Sequence, residues 1–266
     1  MKIYDCCIYF DENLMLDMRF NILNEHVDKF VVVEATRDHS GNSKKLNFNM
    51  NNFQKFKEKI IYHVVEDIPQ EVKNYKKGWS PNFYRENFHR DSISKAIENC
   101  DPEDLILISD ADEIPNFDTI NSSKIKKFAL LRQKNFYYKI NLQSENEWLG
   151  TGICYKKYLK SPQWLRNKRF LRRGFLRSLF FKTQIINNGG WHFSFLKTPE
   201  DIIKKINAYG HGELAFKTDK QKIEKSIKSK EFFINPKIKL RKVSIDKTYP
   251  NYIKNNLSIF KSWIDN

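Results

Sequence analysis

Asp110 and Asp112 stand one residue apart in Asp110-Ala111-Asp112, directly after the apolar run at 104–109. Oxygen donors at that spacing suit Mn²⁺ or Mg²⁺, hard cations that bridge protein carboxylates to a diphosphate and neutralise its charge. The same pattern also serves a strand-end turn capped by aspartate. Upstream lie Arg85, Glu86 and Arg90. Glu86 and Arg90 are four apart, share one face of a helix and can pair. Glu34 closes a β-branched run, and Ser40-Gly41 follows in a polar segment. A carboxylate there is equally suited to a ligand and to capping local backbone. His192 sits between Trp191 and Phe193, and strand alternation puts it on the face opposite both. His211 and Glu213 follow a segment with helical spacing. A histidine at such a helix end also meets the C-terminal dipole favourably.

The elements that position these residues follow from periodicity. Residues 3–10, 29–35, 59–65 and 104–109 read as strands, the last nearly continuous in apolar side chains, as in the middle of a parallel sheet. Helices are predicted over 12–26, capped by Asp11, and over 82–99, opened by Ser80-Pro81. Strands and helices alternating in this way predict a doubly wound, mostly parallel α/β sheet. Glu34 and the Asp110-Ala111-Asp112 turn then fall at carboxyl ends of strands, where such sheets bind ligands. Further strands are predicted over 135–142 and within 185–196, and a helix over 199–208.

Charge is unevenly spread. Residues 1–120 hold 15 lysines and arginines against 22 aspartates and glutamates; residues 121–266 hold 32 against 10. An acidic half beside a basic half fits a site that joins a cation to phosphates, and it does not fit a uniformly basic nucleic-acid binder. Segment 164–181 mixes arginine and lysine with tryptophan, phenylalanine and leucine. Such a segment suits an anionic membrane surface, a phosphorylated acceptor, or an ordinary helix with a basic outer face. Four cysteines without metal-ligand spacing suggest buried free thiols in a reducing compartment. No apolar run approaches the roughly 18–20 residues of a membrane span, and no signal peptide is evident, so a cytoplasmic chain is expected.

Several stretches resemble glycosyltransferase family 17: IYDCCIYFDENLMLDMRFNIL, VDKFVVVEATRDHSG, RENFHRDSISKAI, DLILISDADEIP, NNGGWHFSFL and AYGHGE, in that order over about residues 3–213. The resemblance implies a GT-A-type fold for a catalytic domain over 1–215; without an internal repeat or a low-complexity linker, the Lys-rich extension, 216–266, is expected to pack on the same domain. The nucleotide-sugar half would be about 1–120 and the acceptor half about 121–215. It implies inverting transfer from a nucleotide sugar, UDP-N-acetylglucosamine above all, to a glycan, glycolipid or glycoprotein acceptor. Asp110 and Asp112 then fall on the DxD motif, with His211 as a further ligand of the Mn²⁺ or Mg²⁺. Glu113 would anchor the loop or touch the donor sugar. Arg90 would reach the diphosphate or the motif carboxylates, and Glu34, Ser40 and Gly41 would hold the nucleoside. Inverting transfer needs a general base. Acids are scarce in the basic half; Glu213 is favoured, with His192 and the Glu200-Asp201 pair as alternatives. Another UDP-sugar as donor, or a basic module that binds anionic surfaces without catalysis, are the competing readings.

Overall fold

The apolar run at 104–109 becomes the middle of the sheet because neither of its faces meets water. The computed structural model describes residues 1–73, 80–169, 183–208 and 219–265. In it Leu105, Ile106, Leu107 and Ile108 of strand β4 (Leu105–Asp110) are fully buried. Strand β4 runs parallel to β1 (Ile3–Tyr9), which pairs in turn with β2 (Lys29–Ala35) and then β3 (Ile60–Val65), all parallel. Helix α1 (Asn13–Leu23) crosses over between β1 and β2. Helices α2 (Pro81–Asp91) and α3 (Ile93–Ala96) lie between β3 and β4. The two crossovers cover opposite faces. Met18 and Phe20 of α1 cluster with Cys7 and Val32, while Ile93 of α3 clusters with Cys6, Val31 and Val33. Adjacent cysteines on one strand thus enter different cores, as alternation requires.

Past β4 the sheet changes character. Strand β8 (Trp148–Tyr155) is antiparallel to β4, β6 (Phe128–Tyr137) is antiparallel to β8, and β7 (Leu142–Ser144) is antiparallel to β6. Strands β12 (Asn235–Lys242) and β11 (Glu231–Phe232) extend this edge. Strands β9 (Gln184–Ile186) and β10 (Gly190–Ser194) run parallel to β6, and β5 (Glu113–Pro115) pairs antiparallel with β10. The expected mostly parallel sheet is therefore a mixed one. Its second half links β6, β7 and β8 by connections too short for the crossover that parallel pairing needs. The single strand expected over 135–142 is interrupted for a local reason: Tyr138 adopts φ +64° and turns the chain after β6.

Two helix boundaries also differ from expectation. Ser80 caps α2 by accepting from the Phe83 N–H, as predicted, but the helix breaks at Ser92 into α2 and α3. Helix α1 starts at Asn13 without a side-chain cap; Asp11 pairs instead with Lys197 at 2.6 Å. Helix α4 (Pro162–Asn167) packs on β8, and α5 (Pro199–Ala208) follows β10. Helix α6 (Lys220–Lys228) and helix α7 (Asn251–Asn255) belong to the lysine-rich end. Tyr249, Ile253 and Phe260 of that end join the core under α1. Among the described residues no helix is long and apolar enough to cross a membrane.

Candidate functional site

The acidic turn is held from beneath. Arg19 of α1 is fully buried and forms a two-point ion pair with Asp5 of β1, at 2.6 and 2.5 Å. Its Nη1 donates to the backbone carbonyls of Asp110 at 3.2 Å and Glu113 at 2.6 Å. Burial works against the charge on Arg19, but Asp5 outweighs it and keeps the guanidinium ionised. The carbonyls of Asp110 and Glu113 are thereby drawn toward the core.

Above the turn, Asp110 is clasped between two guanidiniums. Its Oδ1 accepts from Arg90 of α2 at 2.9 Å, and its Oδ2 from Arg166 of α4 at 2.5 Å. Arg90 also pairs with Glu86 at 2.8 Å across one helical turn, so both partners open to it in the sequence reading are engaged at once. Glu113 is fully buried and accepts from Arg166, at 2.7 and 2.8 Å, and from the Trp148 indole at 2.6 Å. Its position is that of a loop anchor. Burial opposes ionisation of Asp110, yet Arg166 and then Arg90 hold its carboxyl far below the usual carboxylate range. Arg169 lies over the Trp148 ring at 5.3 Å; burial and the neighbouring Arg166 charge pull its guanidinium down to about 10.

Asp112 faces a different set of groups. Its Oδ2 lies 3.3 Å from the Lys205 ammonium of α5, which also reaches Glu12 at 3.3 Å. Its Oδ1 lies 3.6 Å from His192 Nε2. Burial raises the Asp112 carboxyl, but Lys205 and His192 bring it well below its ordinary value. His192 is stacked on Trp148 at 4.7 Å, and its Nδ1 lies 2.9 Å from Asn135 Oδ1. The Asn135 amide nitrogen donates to the Tyr137 hydroxyl, so its oxygen is the group facing His192. His192 Nδ1 therefore carries a hydrogen, and Nε2 is the ring nitrogen that faces Asp112. At 3.6 Å the two lie just beyond hydrogen-bond reach of each other. Alternation places His192 here because Trp191 and Phe193 take the core face of β10. Gly190, at φ +141°, lets β10 pass close to β5: a Cβ there would lie 2.0 Å from the Ile114 carbonyl oxygen.

The nucleoside-loop candidates are committed elsewhere. Glu34 accepts from Lys44, from the Asn47 and Phe48 N–H groups at 2.7 and 3.0 Å, and from the Tyr62 hydroxyl at 2.9 Å. Of its two readings the local cap is the one observed. Arg85 donates to the carbonyls of Pro69, His39 and Gln70, tying two loops together rather than facing Asp110. Gly41, at φ +95°, makes room for it; a Cβ would stand 2.8 Å from the Arg85 guanidinium. The Ser40 hydroxyl donates to the Asn207 carbonyl at the end of α5. Next to it, His39 Nε2 meets His89 Nδ1 at 3.2 Å, and His89 Nε2 bonds the Val33 carbonyl. His211 and Glu213 lie outside the described residues. Glu200 is exposed and bound to Lys220, and Asp201 bonds Thr198, so neither reaches the acidic turn. Of segment 164–181 only 164–169 is described, and Arg166 there is buried toward Asp110, not presented outward.

Arg19, Trp148, Arg166 and Lys205 were missed by sequence reasoning. Arg19 had a signal, since it interrupts a buried run that includes Met15, Leu16, Met18 and Phe20. The others had none, because the carboxylates they meet lie at least 35 residues away in the chain.

Mn²⁺ or Mg²⁺ fits this donor set only in part. Asp110 has both oxygens on guanidiniums, and Asp112 has Oδ2 on Lys205, which leaves only its Oδ1 and His192 Nε2 facing each other. Among the described residues no group of three His, Cys, Asp or Glu side chains could hold a metal ion.

The acidic turn lies at the carboxyl end of a central strand, where open α/β sheets bind ligands, with cations from α2, α4 and α5 around it. The model of glycosyltransferase family 17 matches residues 1–233, and the chain belongs to that family. The match reaches past the motifs, into β11. The human beta-1,4-mannosyl-glycoprotein 4-beta-N-acetylglucosaminyltransferase is 27% identical over 224 residues, covering 75% of this chain and 41% of its own length. The rat protein of the same name is equally similar, at 27% identity, with the same coverage. This chain thus spans about two-fifths of the curated relatives it matches.

Proposed function

We propose that this chain is an inverting glycosyltransferase of GT-A type that moves N-acetylglucosamine from UDP-N-acetylglucosamine to a glycan hydroxyl, releasing UDP. The observation that carries this reading is the pair Asp112 and His192, face to face beside Lys205, with Arg90 and Arg166 on the neighbouring Asp110. A departing UDP gains negative charge. Lys205, 3.3 Å from Asp112, and the Arg90–Arg166 pair around Asp110 are fixed cations that can meet it. Such charges act without reorganising, because their positions are set by Glu12, Glu86 and Glu113.

His192 is assigned the base. Its Nε2 faces the gap, Asn135 accepts from Nδ1–H, and Asp112 stands beside it to stabilise the imidazolium that proton transfer creates. An acceptor hydroxyl in the gap would give its proton to Nε2 as its oxygen attacks the anomeric carbon and the bond to UDP breaks. Glu213 remains the rival base. The names of the relatives support a mannosyl glycoprotein as one acceptor class. The tight acidic turn on a buried strand supports the DxD reading of Asp110 and Asp112.

Calorimetric titration of UDP-N-acetylglucosamine, with Mn²⁺ and with EDTA, tests the proposal. Binding by the native chain that is lost in a folded Asp112→Ala variant is the expected result. Binding that survives EDTA assigns the diphosphate to Lys205 and the arginines. Binding that needs Mn²⁺ assigns a cation to Asp112 and His192. A folded chain that binds no UDP-sugar under either condition overturns the reading.

A further inference from the structure

One groove among the described residues has no role in the site above, and its chemistry is that of a sugar site. It is an open hollow of about 490 Å³ between α2 and α4, within the range of about 300–1,000 Å³ typical of ligand pockets. Tyr84 and Phe88 of α2 and Trp164 of α4 give it aromatic surface. Asn87, Gln163 and Asn167 give it amides. A pyranose has apolar C–H faces that lie on aromatic rings, and hydroxyls that both donate and accept. Amide side chains match hydroxyls because they too offer both functions.

Asn87 is the informative residue. It is 7% exposed, and neither its Oδ1 nor its Nδ2 has a hydrogen-bond partner among the described residues. Buried polar atoms are nearly always paired, and an unpaired amide weakens the fold unless something else satisfies it. Its neighbour shows the contrast. Gln163 is equally buried, but its Oε1 accepts from Arg90 at 2.5 Å and its Nε2 donates to Asn167 at 2.9 Å. Gln163 also connects the groove to the reaction end, since the same Arg90 holds Asp110. The groove therefore stands one side chain away from the acidic turn.

We propose that the α2–α4 groove binds a pyranose residue of the acceptor oligosaccharide, one other than the residue that receives the transferred sugar. Asn87 supplies the polar contact and Tyr84 the ring surface. The proposal rests on the glycosyltransferase reading for the name of its ligand.

The test titrates trisaccharides of mannose, N-acetylglucosamine, glucose and galactose into the full chain, alongside UDP-N-acetylglucosamine. At least one trisaccharide should bind. Its affinity should fall about tenfold or more in Asn87→Leu and in Tyr84→Ala, the loss expected for a removed hydrogen bond or stacking face. UDP-N-acetylglucosamine affinity should stay within about twofold in both variants. If Asn87→Leu does not fold, Tyr84→Ala carries the result. No trisaccharide binding at about 10 mM, or binding that both variants leave unchanged, overturns the groove. Donor binding in that case leaves the transferase reading standing. Trisaccharide binding lost in the variants, without any donor binding, does the reverse.

Discussion

The parallel and antiparallel halves of the molecule bring opposite charges to one place. The parallel half, with its loops and crossovers, supplies Glu12, Glu86, Asp110, Asp112 and Glu113. The antiparallel half and its helices supply Arg166, His192 and Lys205, together with Trp148. Five carboxylates at one sheet end would repel one another in isolation. Arg90 offsets part of that charge from within the first half, Arg19 being matched by Asp5, and the rest is offset across the chain. The excess of lysine and arginine in residues 121–266 is thus of two kinds. A few cations are buried at the junction, and many lysines stay exposed, Lys204 and Lys220 among them.

Arg166 is the strongest link between the halves, so removing it gives the largest expected effect. Arg166→Met leaves Glu113 and one oxygen of Asp110 without their cation. Breaking a buried pair of this kind costs about 3–5 kcal/mol, readable in urea unfolding. A loss below about 1 kcal/mol would mean that the two halves are joined by packing alone. Second comes His192→Gln, which keeps a polar side chain but removes the base. It should lower kcat about 10²–10⁴-fold with the fold intact. Full activity in that variant would move the base to Glu213, outside the described residues.

The smallest effect separates the site from the histidine pair beside it. Burial lowers the pKa of both His39 and His89. The unfolded chain then binds more protons than the folded one below the ordinary histidine value of about 6.5, so stability falls as pH drops through that point and is constant above it. Asp110, Asp112 and Glu86 have lowered values, so their contribution is present above about 4.5 and is lost only in stronger acid. Melting curves should therefore drop between pH 7.5 and 5.5, and His89→Gln should flatten the drop. A native chain whose melting temperature is level over that window refutes the histidine account.

What could be read from the sequence was local. The strands at 3–9, 29–35 and 105–110 are apolar or β-branched runs, and the Glu86–Arg90 pair is one turn of helix. The alternation that aims His192 away from the core is equally local. The antiparallel half was harder, because β7, β9 and β11 are two or three residues long and carry glutamine, serine or glutamate. Helical or strand periodicity has nothing to act on in so short a piece. Arg90 was legible, but Arg166 and Lys205 were not, for another reason: α4 and α5 look like ordinary amphipathic helices until β8 and β10 bring these two cations to the turn. Glu34 was misleading because a strand-end carboxylate serves a loop as readily as a ligand.

The Arg19–Asp5 pair beneath the turn has a direction as well as a strength. Asp5 only accepts hydrogen bonds, whereas Arg19 donates both to Asp5 and to the carbonyls of Asp110 and Glu113. Exchanging the two residues would keep the charges balanced and still fail, because an aspartate at position 19 would set its oxygens against those carbonyls. The two positions are therefore not interchangeable over evolutionary time. Any lineage that keeps this turn must keep its donor on the helix and its acceptor on the strand.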